Sequence, residues 1–350
     1  MAVYDGLFRV TGLEGWCSSG GPNEGPLTMA ELLAQANGTQ VEGAPAPSIP
    51  LMETPFPSLD TLNKSCSSIP RSRDMTQAVE EGFLAIKNPL KVVLDPLTQP
   101  LSWMLDLSLD GFQATPWFIM IPLLVVIAWF STKKIGVTVL VALSFLFMAF
   151  IDFYDDAIST LSIIFVCTII SVLLGVPIGI AMSRSDTMQR MTIPVLDMLQ
   201  TLPTFVYLIP LIFLFSVTES KLYGIAIILY AIVPVIRLTD LGIRLVDKDV
   251  IEAADAFGMS NRQKLWGVQV PLALPNIMAG INQTIMMSLA MVVIASLVSA
   301  PGLGVKVLAG IRNLELGVGL VAGFSIVLLA VILDRSTKAA LGRIDSSVRQ

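Results

Sequence analysis

Glu252-Ala253-Ala254, three residues, Gly258, nine residues, then Val268-x-Val270-Pro271 form a long gapped pattern in this 350-residue chain. Its residue types are not those of a catalyst. One carboxylate, small alanines, a glycine and a proline offer shape and charge, not a nucleophile beside a base. Their chemistry is docking: a rigid, charged knob on which another protein can push. Histidine is absent, which excludes histidine triads and most zinc sites. No G-x-x-x-x-G-K-[ST] phosphate loop occurs, so ATP is not bound here in that way. The three cysteines show no C-x-x-C spacing, which argues against a metal site. A Cys17–Cys66 disulfide is open to the chain only if that region lies outside the cell.

Local signals give the pattern a shape. Asp249 is placed to cap a helix, with Glu252 three residues on completing a capping box. Ala253, Ala254 and Ala256 favour helix, and Gly258 is suited to the left-handed residue that ends it. Ser260 then caps a second short helix with Gln263 at the matching position, Leu265 and Trp266 giving an apolar face. Pro271 and Pro275 mark the return toward an apolar stretch. The plain alternative is a self-contained hairpin that meets no partner.

The elements that must position this loop are apolar. The chain is 54% hydrophobic and 14% charged, well under the quarter charged that is usual for a soluble domain. Seven candidate spans run over 112–130, 135–152, 158–182, 198–217, 222–238, 273–299 and 316–333, each near membrane length. Thirteen lysines and arginines fall in one set of loops with the C-terminal tail, among them Lys133, Arg184, Arg237, Arg244 and Lys264; three, Lys221, Lys306 and Arg312, fall opposite. The basic side is the cytoplasm. The N-terminus is then outside, the C-terminus inside, and the loop of about 239–272 is cytoplasmic.

Residues 1–75 are expected to be a disordered extracytoplasmic tail, rich in Gly, Pro and Ser. Residues 76–110 read as an amphipathic, interfacial segment broken at Pro89, Pro96 and Pro100. Residues 111–335 are the transmembrane domain and 336–350 a cytoplasmic tail. Gly175 and Gly179 flank Pro177, and Gly319 and Gly323 repeat the spacing. Pro177, Pro203, Pro210 and Pro234 are candidate hinges. Tyr207, Asn282, Gln283 and Met287 are candidates to line a translocation path, with ordinary packing the alternative for each. Ionisable groups are scarce inside the spans, which suits a neutral or zwitterionic cargo.

The gapped pattern resembles the signature of permease subunits of binding-protein-dependent ABC importers, with Val268 and Val270 where that family more often has Ile and Leu. A finer resemblance covers most of 100–335. The strings Leu196 to Pro210, Ile277 to Thr284, and Met291 to Ser296 followed by Gly302-Leu303-Gly304 look like glycine betaine/proline betaine permeases.

The resemblance implies an all-α integral membrane protein with the type I importer core, not itself an enzyme. It implies a second copy of the chain, a pair of ATPase subunits that bind ATP and Mg, and an extracytoplasmic binding protein. That last partner is expected as a separate chain, because this one ends soon after its last span. No cofactor or nucleic acid is implied. The location is the bacterial inner membrane, in contact with lipid. The implied cargo is glycine betaine or a related methylated ammonium; trimethylamine N-oxide, choline and carnitine stay open. An ion-coupled secondary transporter is the remote alternative, since neither mid-span acids nor a clear inverted repeat is seen.

Overall fold

The computed structural model of the protein describes Thr11, Cys17, residues 56–66 and residues 68–348. The described residues hold helices, turns and no strand. They fall into two units, divided between Leu90 and Lys91.

The first unit holds α1 (Leu59–Ser65) and the start of α2 (Ser72–Ala114). Ser58 caps α1, its Oγ accepting from the Thr61 N–H at 3.4 Å. Asp60 accepts from the Ser72 N–H at 2.9 Å, and Asn63 accepts from Arg71 Nε at 3.1 Å. Cys66 is disulfide-bonded to Cys17 across 49 positions. The tail expected to be disordered therefore carries helix at 59–65 and again from 72; most of the remainder of 1–75 lies outside the described residues.

The amphipathic segment is not broken. α2 runs unbroken for 43 residues through all three prolines. Pro89, Pro96 and Pro100 are all exposed and, spaced by seven and four, share one helix face. The carbonyls they leave free sit on that outer face, away from the packed one. Beyond Lys91 the opposite face packs inward through Leu94, Leu101, Leu105 and Leu109.

In the second unit, α2 leads through a bend of 110° into α3 (Trp117–Thr132), followed by α4 (Ile135–Phe150). Three long helices form the centre: α5 (Tyr154–Arg184), α8 (Ser220–Arg244) and α11 (Val270–Ala295). Between α5 and α8 lie α6 (Asp186–Thr201) and α7 (Leu208–Leu214). A 3₁₀ turn, α12 (Leu303–Arg312) and α13 (Leu316–Val348) complete the chain.

Small residues let the central helices touch. A Cβ at Gly179 would stand 2.6 Å from the Thr239 Cβ, and one at Gly280 would stand 3.0 Å from the Val235 Cα. Gly175 meets Val235 in the same way. α8 is thus held between α5 and α11 at backbone-to-backbone range. In α13, Gly319 packs on Gly310 of α12, but nothing stands near Gly323. That second glycine pair is not a packing pair.

The span count is revised. Among the described residues four helices are long and apolar enough to cross a membrane: α5, α8, the continuous helix Asn261–Val298 and α13; a fifth is reached if α2 and α3 make one bent span. α3 and α4 have 16 residues each, about 24 Å of helix. The expected span 198–217 is divided. Leu202, next to Pro203, is extended at ψ 133°, as the residue before a proline must be, and helix resumes only at Leu208. The C-terminal tail is a helical continuation of α13 through Val348.

Candidate functional site

The loop begins where α8 ends. Asp247 caps α9 (Lys248–Ala256), its carboxylate accepting from the Asp249 N–H at 3.0 Å. The cap is two residues earlier than the sequence suggested. Asp249 falls in the first turn, favoured there by the helix dipole, and Glu252 is too far along to close a capping box. The reason is that α8 runs to Arg244, so the first residue free to take extended backbone and accept is Asp247.

The far end follows expectation. Gly258 takes φ +75°. Its N–H bonds to the Asp255 carbonyl at 2.9 Å, and the Met259 N–H bonds to the Ala254 carbonyl at 3.1 Å. These two bonds with a left-handed glycine are a Schellman corner. Ser260 and Gln263 then close a reciprocal capping box on α10 (Asn261–Lys264). Lys264 reaches back to Asp255 at 2.5 Å and ties the two helices across the corner.

The second helix does not stop and return. It passes through a π turn at Leu265–Gln269 straight into α11. Pro271 has no N–H to give Gly267, and the Val270 N–H bonds one residue further back than usual, to Leu265. The wider turn absorbs the missing bond. α10 and the membrane helix are therefore one rod, and a push on the corner bears directly on α11. The root of that rod is packed: Leu265, Ala273 and Ile277 are buried with Ile243 of α8.

The surface of α9 sorts its residues. Ala254 is buried, so it packs inward and is not open to a partner; Glu252, Ala253 and Gly258 are exposed, and Pro271 lies in the root. Phe257 is 86% exposed at the corner, with Trp266 and Met259 also exposed. Sequence reasoning passed over Phe257. The signal was there: the residue directly before a left-handed C′ glycine sits on the outside of the turn, where an aromatic has no fold to serve.

The four path candidates are not gathered on one surface. Tyr207 donates to Met291 Sδ at 3.9 Å, and Gln200 reaches Met287 Sδ at 3.9 Å. Met287 and Met291 are one turn apart on α11 and meet the end of α6 and the start of α7. Gln283 shares their face by spacing and is exposed. Asn282 points elsewhere, donating to Asp334 of α13 at 3.1 Å. Gln200 and Met291 belong with Tyr207 and Met287 and were missed. Of the candidate hinges, Pro203 lies in the helix break and Pro210 in the first turn of α7, while Pro177 and Pro234 sit inside unbroken helices.

Around the root of the loop the charges are paired. Arg244 donates to Asp186 at 2.7 Å and to Asp240 at 2.9 Å. Its guanidinium holds the Asp186 carboxyl below the ordinary carboxylate range. Among the described residues no group of three His, Cys, Asp or Glu is placed to hold a metal ion.

The family model described as binding-protein-dependent transport system inner membrane component matches residues 171–349, which include the whole loop. The glycine betaine transport system permease protein of Bacillus subtilis is 44% identical over 211 residues, 60% of this chain and 73% of that one. The glycine betaine/carnitine transport permease protein of Listeria monocytogenes is 39% identical over 262 residues, 74% of this chain and 89% of that one. The glycine betaine/proline betaine transport system permease protein of Escherichia coli is 41% identical over 294 residues, 83% of this chain and 81% of that one. The chain belongs to the family of inner membrane components of binding-protein-dependent transport systems.

Proposed function

We propose that this chain is the non-enzymatic permease of an ATP-driven importer for glycine betaine or a related methylated ammonium solute, carnitine and trimethylamine N-oxide being the nearest rivals. The observation that carries the mechanism is the α9–Gly258–α10 corner, an exposed knuckle continuous with a membrane helix in a chain that has no phosphate loop. The relatives named for glycine betaine transport support the cargo.

Two copies of the chain form the path with a type I importer core, set in lipid. A pair of ATPase subunits binds ATP and Mg and grips both knuckles at the cytoplasmic face. Closure of that pair draws the knuckles together and opens the path outward; release opens it inward. A partner moves such an equilibrium only by binding one state better than the other. An extracytoplasmic binding protein selects the cargo and delivers it. The Cys17–Cys66 bond supports an N-terminus outside, since disulfides persist in oxidising compartments. The basic loops support the same sidedness.

The test is uptake into proteoliposomes that hold the permease with its ATPase and loaded binding protein. Glycine betaine should enter with ATP and continue in the presence of an uncoupler. Glu252→Lys should abolish cargo-stimulated ATP hydrolysis while the protein still inserts. Uptake that follows an ion gradient instead of ATP would sink the reading.

A further inference from the structure

α6 is tied to α8 near both of its ends and runs out into irregular backbone beyond Thr201. At its start, Gln189 Nε2 donates to Asp240 Oδ2 at 2.7 Å, and Asp186 accepts from Arg244 at 2.7 Å. Asp240 is buried at 5% exposure on the last turns of α8. Its other oxygen accepts from Arg244 Nε at 2.9 Å, and Arg244 also donates to the Met182 carbonyl at the end of α5 at 2.9 Å. One turn earlier in α8, Arg237 pairs with Asp197 of α6. Three helices are stitched by one buried carboxylate and its guanidinium.

Both ends of this assembly matter. Arg244 is the last residue of α8, and Asp247, three positions on, caps α9. The far end of α6 is Thr201, where the chain leaves the helix for the break at Leu202–Tyr207. Gln200 and Tyr207, at the edges of that break, are the groups that touch Met287 and Met291.

We propose that the Asp240–Arg244–Gln189–Asp186 hub is the linkage that carries movement of the docking loop to the helix break beside Met287 and Met291, with Asp240 as its pivot and Gln189 as the positioning residue on α6. The inference rests on the reading of the loop as the site where the ATPase pushes. The geometry favours a hub over simple packing. Exposed ion pairs contribute little, but a buried carboxylate must keep its donors or strand a charge. When the end of α8 moves, Asp240 keeps Gln189, and α6 follows as a lever about 24 Å long.

Gln189→Leu is the clean variant. It removes the Gln189–Asp240 bond alone and leaves the Asp240–Arg244 pair, the Arg244–Met182 bond and the other ties of α6 to α8, Asp186–Arg244 and Asp197–Arg237, in place. Gln189→Lys is the rescue, since an ammonium restores a donor to the same carboxylate. Both are compared with wild type in proteoliposomes with the ATPase and loaded binding protein. Expected for Gln189→Leu is normal insertion, normal co-purification of the ATPase, and a fall in solute carried per ATP hydrolysed, which Asp186→Asn in the same chain deepens by removing the second tie of α6 to the hub. Expected for Gln189→Lys is recovery of that ratio. An unchanged ratio in Gln189→Leu overturns the linkage. So does a loss of protein from the membrane in proportion to the loss of uptake, because that is a structural effect alone. Failure of the underlying reading is distinguishable: Glu252→Lys would then transport normally whatever Gln189 does.

Discussion

Gly258 is the residue whose backbone the docking reading most depends on. Its φ is +75°, and no atom outside its own chain neighbours lies within 4 Å of where a Cβ would be. A substitution there meets no clash, so its whole cost is conformational. For an ordinary L residue the left-handed region costs about 1–2 kcal/mol. Two Schellman bonds hold the corner, at about 1 kcal/mol net each. The penalty and the bonds are therefore of one size. Gly258→Ala should bring the corner near balance with unwound alternatives, and each further 1.4 kcal/mol shifts that ratio about tenfold. Valine, branched at Cβ, adds more strain and leaves the corner a minor state. Asparagine tolerates the left-handed region and should behave nearly as glycine does.

The assay is the ATPase rate of the reconstituted complex with and without cargo-loaded binding protein. The stimulated component should fall in the order Gly, Asn, Ala, Val. The thermal midpoint of the isolated permease should move by no more than a few degrees, the scale of a penalty of about 1–2 kcal/mol in an exposed corner. An apparent affinity for the ATPase lowered in the same order would follow from the falling share of docking-competent loops. If asparagine harms coupling as much as valine does, corner conformation is not the cause. Normal coupling in the valine variant would remove the corner from the mechanism altogether.

Further outcomes follow from single residues. Phe257→Ala deletes an exposed ring that no core needs, so the thermal midpoint should hold while the ATPase dissociates about tenfold more readily, the scale of a modest interface anchor; unchanged retention on a column of tagged ATPase would exclude Phe257 from the contact. Leu314 takes φ +58° at the α12 terminus with 89% of its surface exposed, so Leu314→Gly should stabilise the permease by about 0.5–1 kcal/mol in thermal denaturation, and a drop would show that its side chain is held by something. The Asp186 carboxyl is held below its usual value by Arg244, so the ionised pair contributes above about pH 3.9 and is lost as pH falls through the lowered value. Asp186→Asn should therefore unfold earlier than wild type at pH 7, with the gap closing in strong acid; a gap that persists there would mean the charge is not what matters.

Much of the loop was legible because its signals are local. A glycine at a helix end and a Ser-x-x-Gln box act over three or four residues, and both stand where the spacing put them. The Asp249 cap failed for a partly non-local reason: α8 runs further than its apolar residues do, to Arg244, which pairs with Asp240 one turn back and with Asp186, 58 positions away. The three prolines of α2 failed likewise. A proline breaks a helix when nothing compensates, and here one face of leucines is buried while the prolines share the other. The division of the span 198–217 was half legible. Pro203 was flagged as a hinge, but hydropathy alone does not distinguish an apolar helix from an apolar stretch that unwinds. Asn282 and Met287 looked like neighbours in sequence, yet five positions on a helix turn them to different sides.

The break at Leu202–Tyr207 ties these observations together. Among the described residues no backbone carbonyl takes the N–H of Thr204 or Phe205, and Phe205 is 58% exposed. Irregular backbone at membrane depth persists only where protein or water satisfies it. Lipid does neither, so in the proposed importer this face is the one set against the second copy of the chain or the aqueous path. The break is also the compliant part of α6. α6 itself is fixed to α8 near both ends by charge-assisted bonds, Asp186–Arg244 and Asp197–Arg237, which are strong and directional, while the break has surrendered its helical bonds. A clamped helix that leads into a soft break turns a displacement at the clamp into a rearrangement at the soft end. The docking loop stands three residues beyond the clamp, and Gln200 and Tyr207 stand at the soft end. In the proposed mechanism α9 is the stiff input, α6 the rigid lever and the break the yielding output.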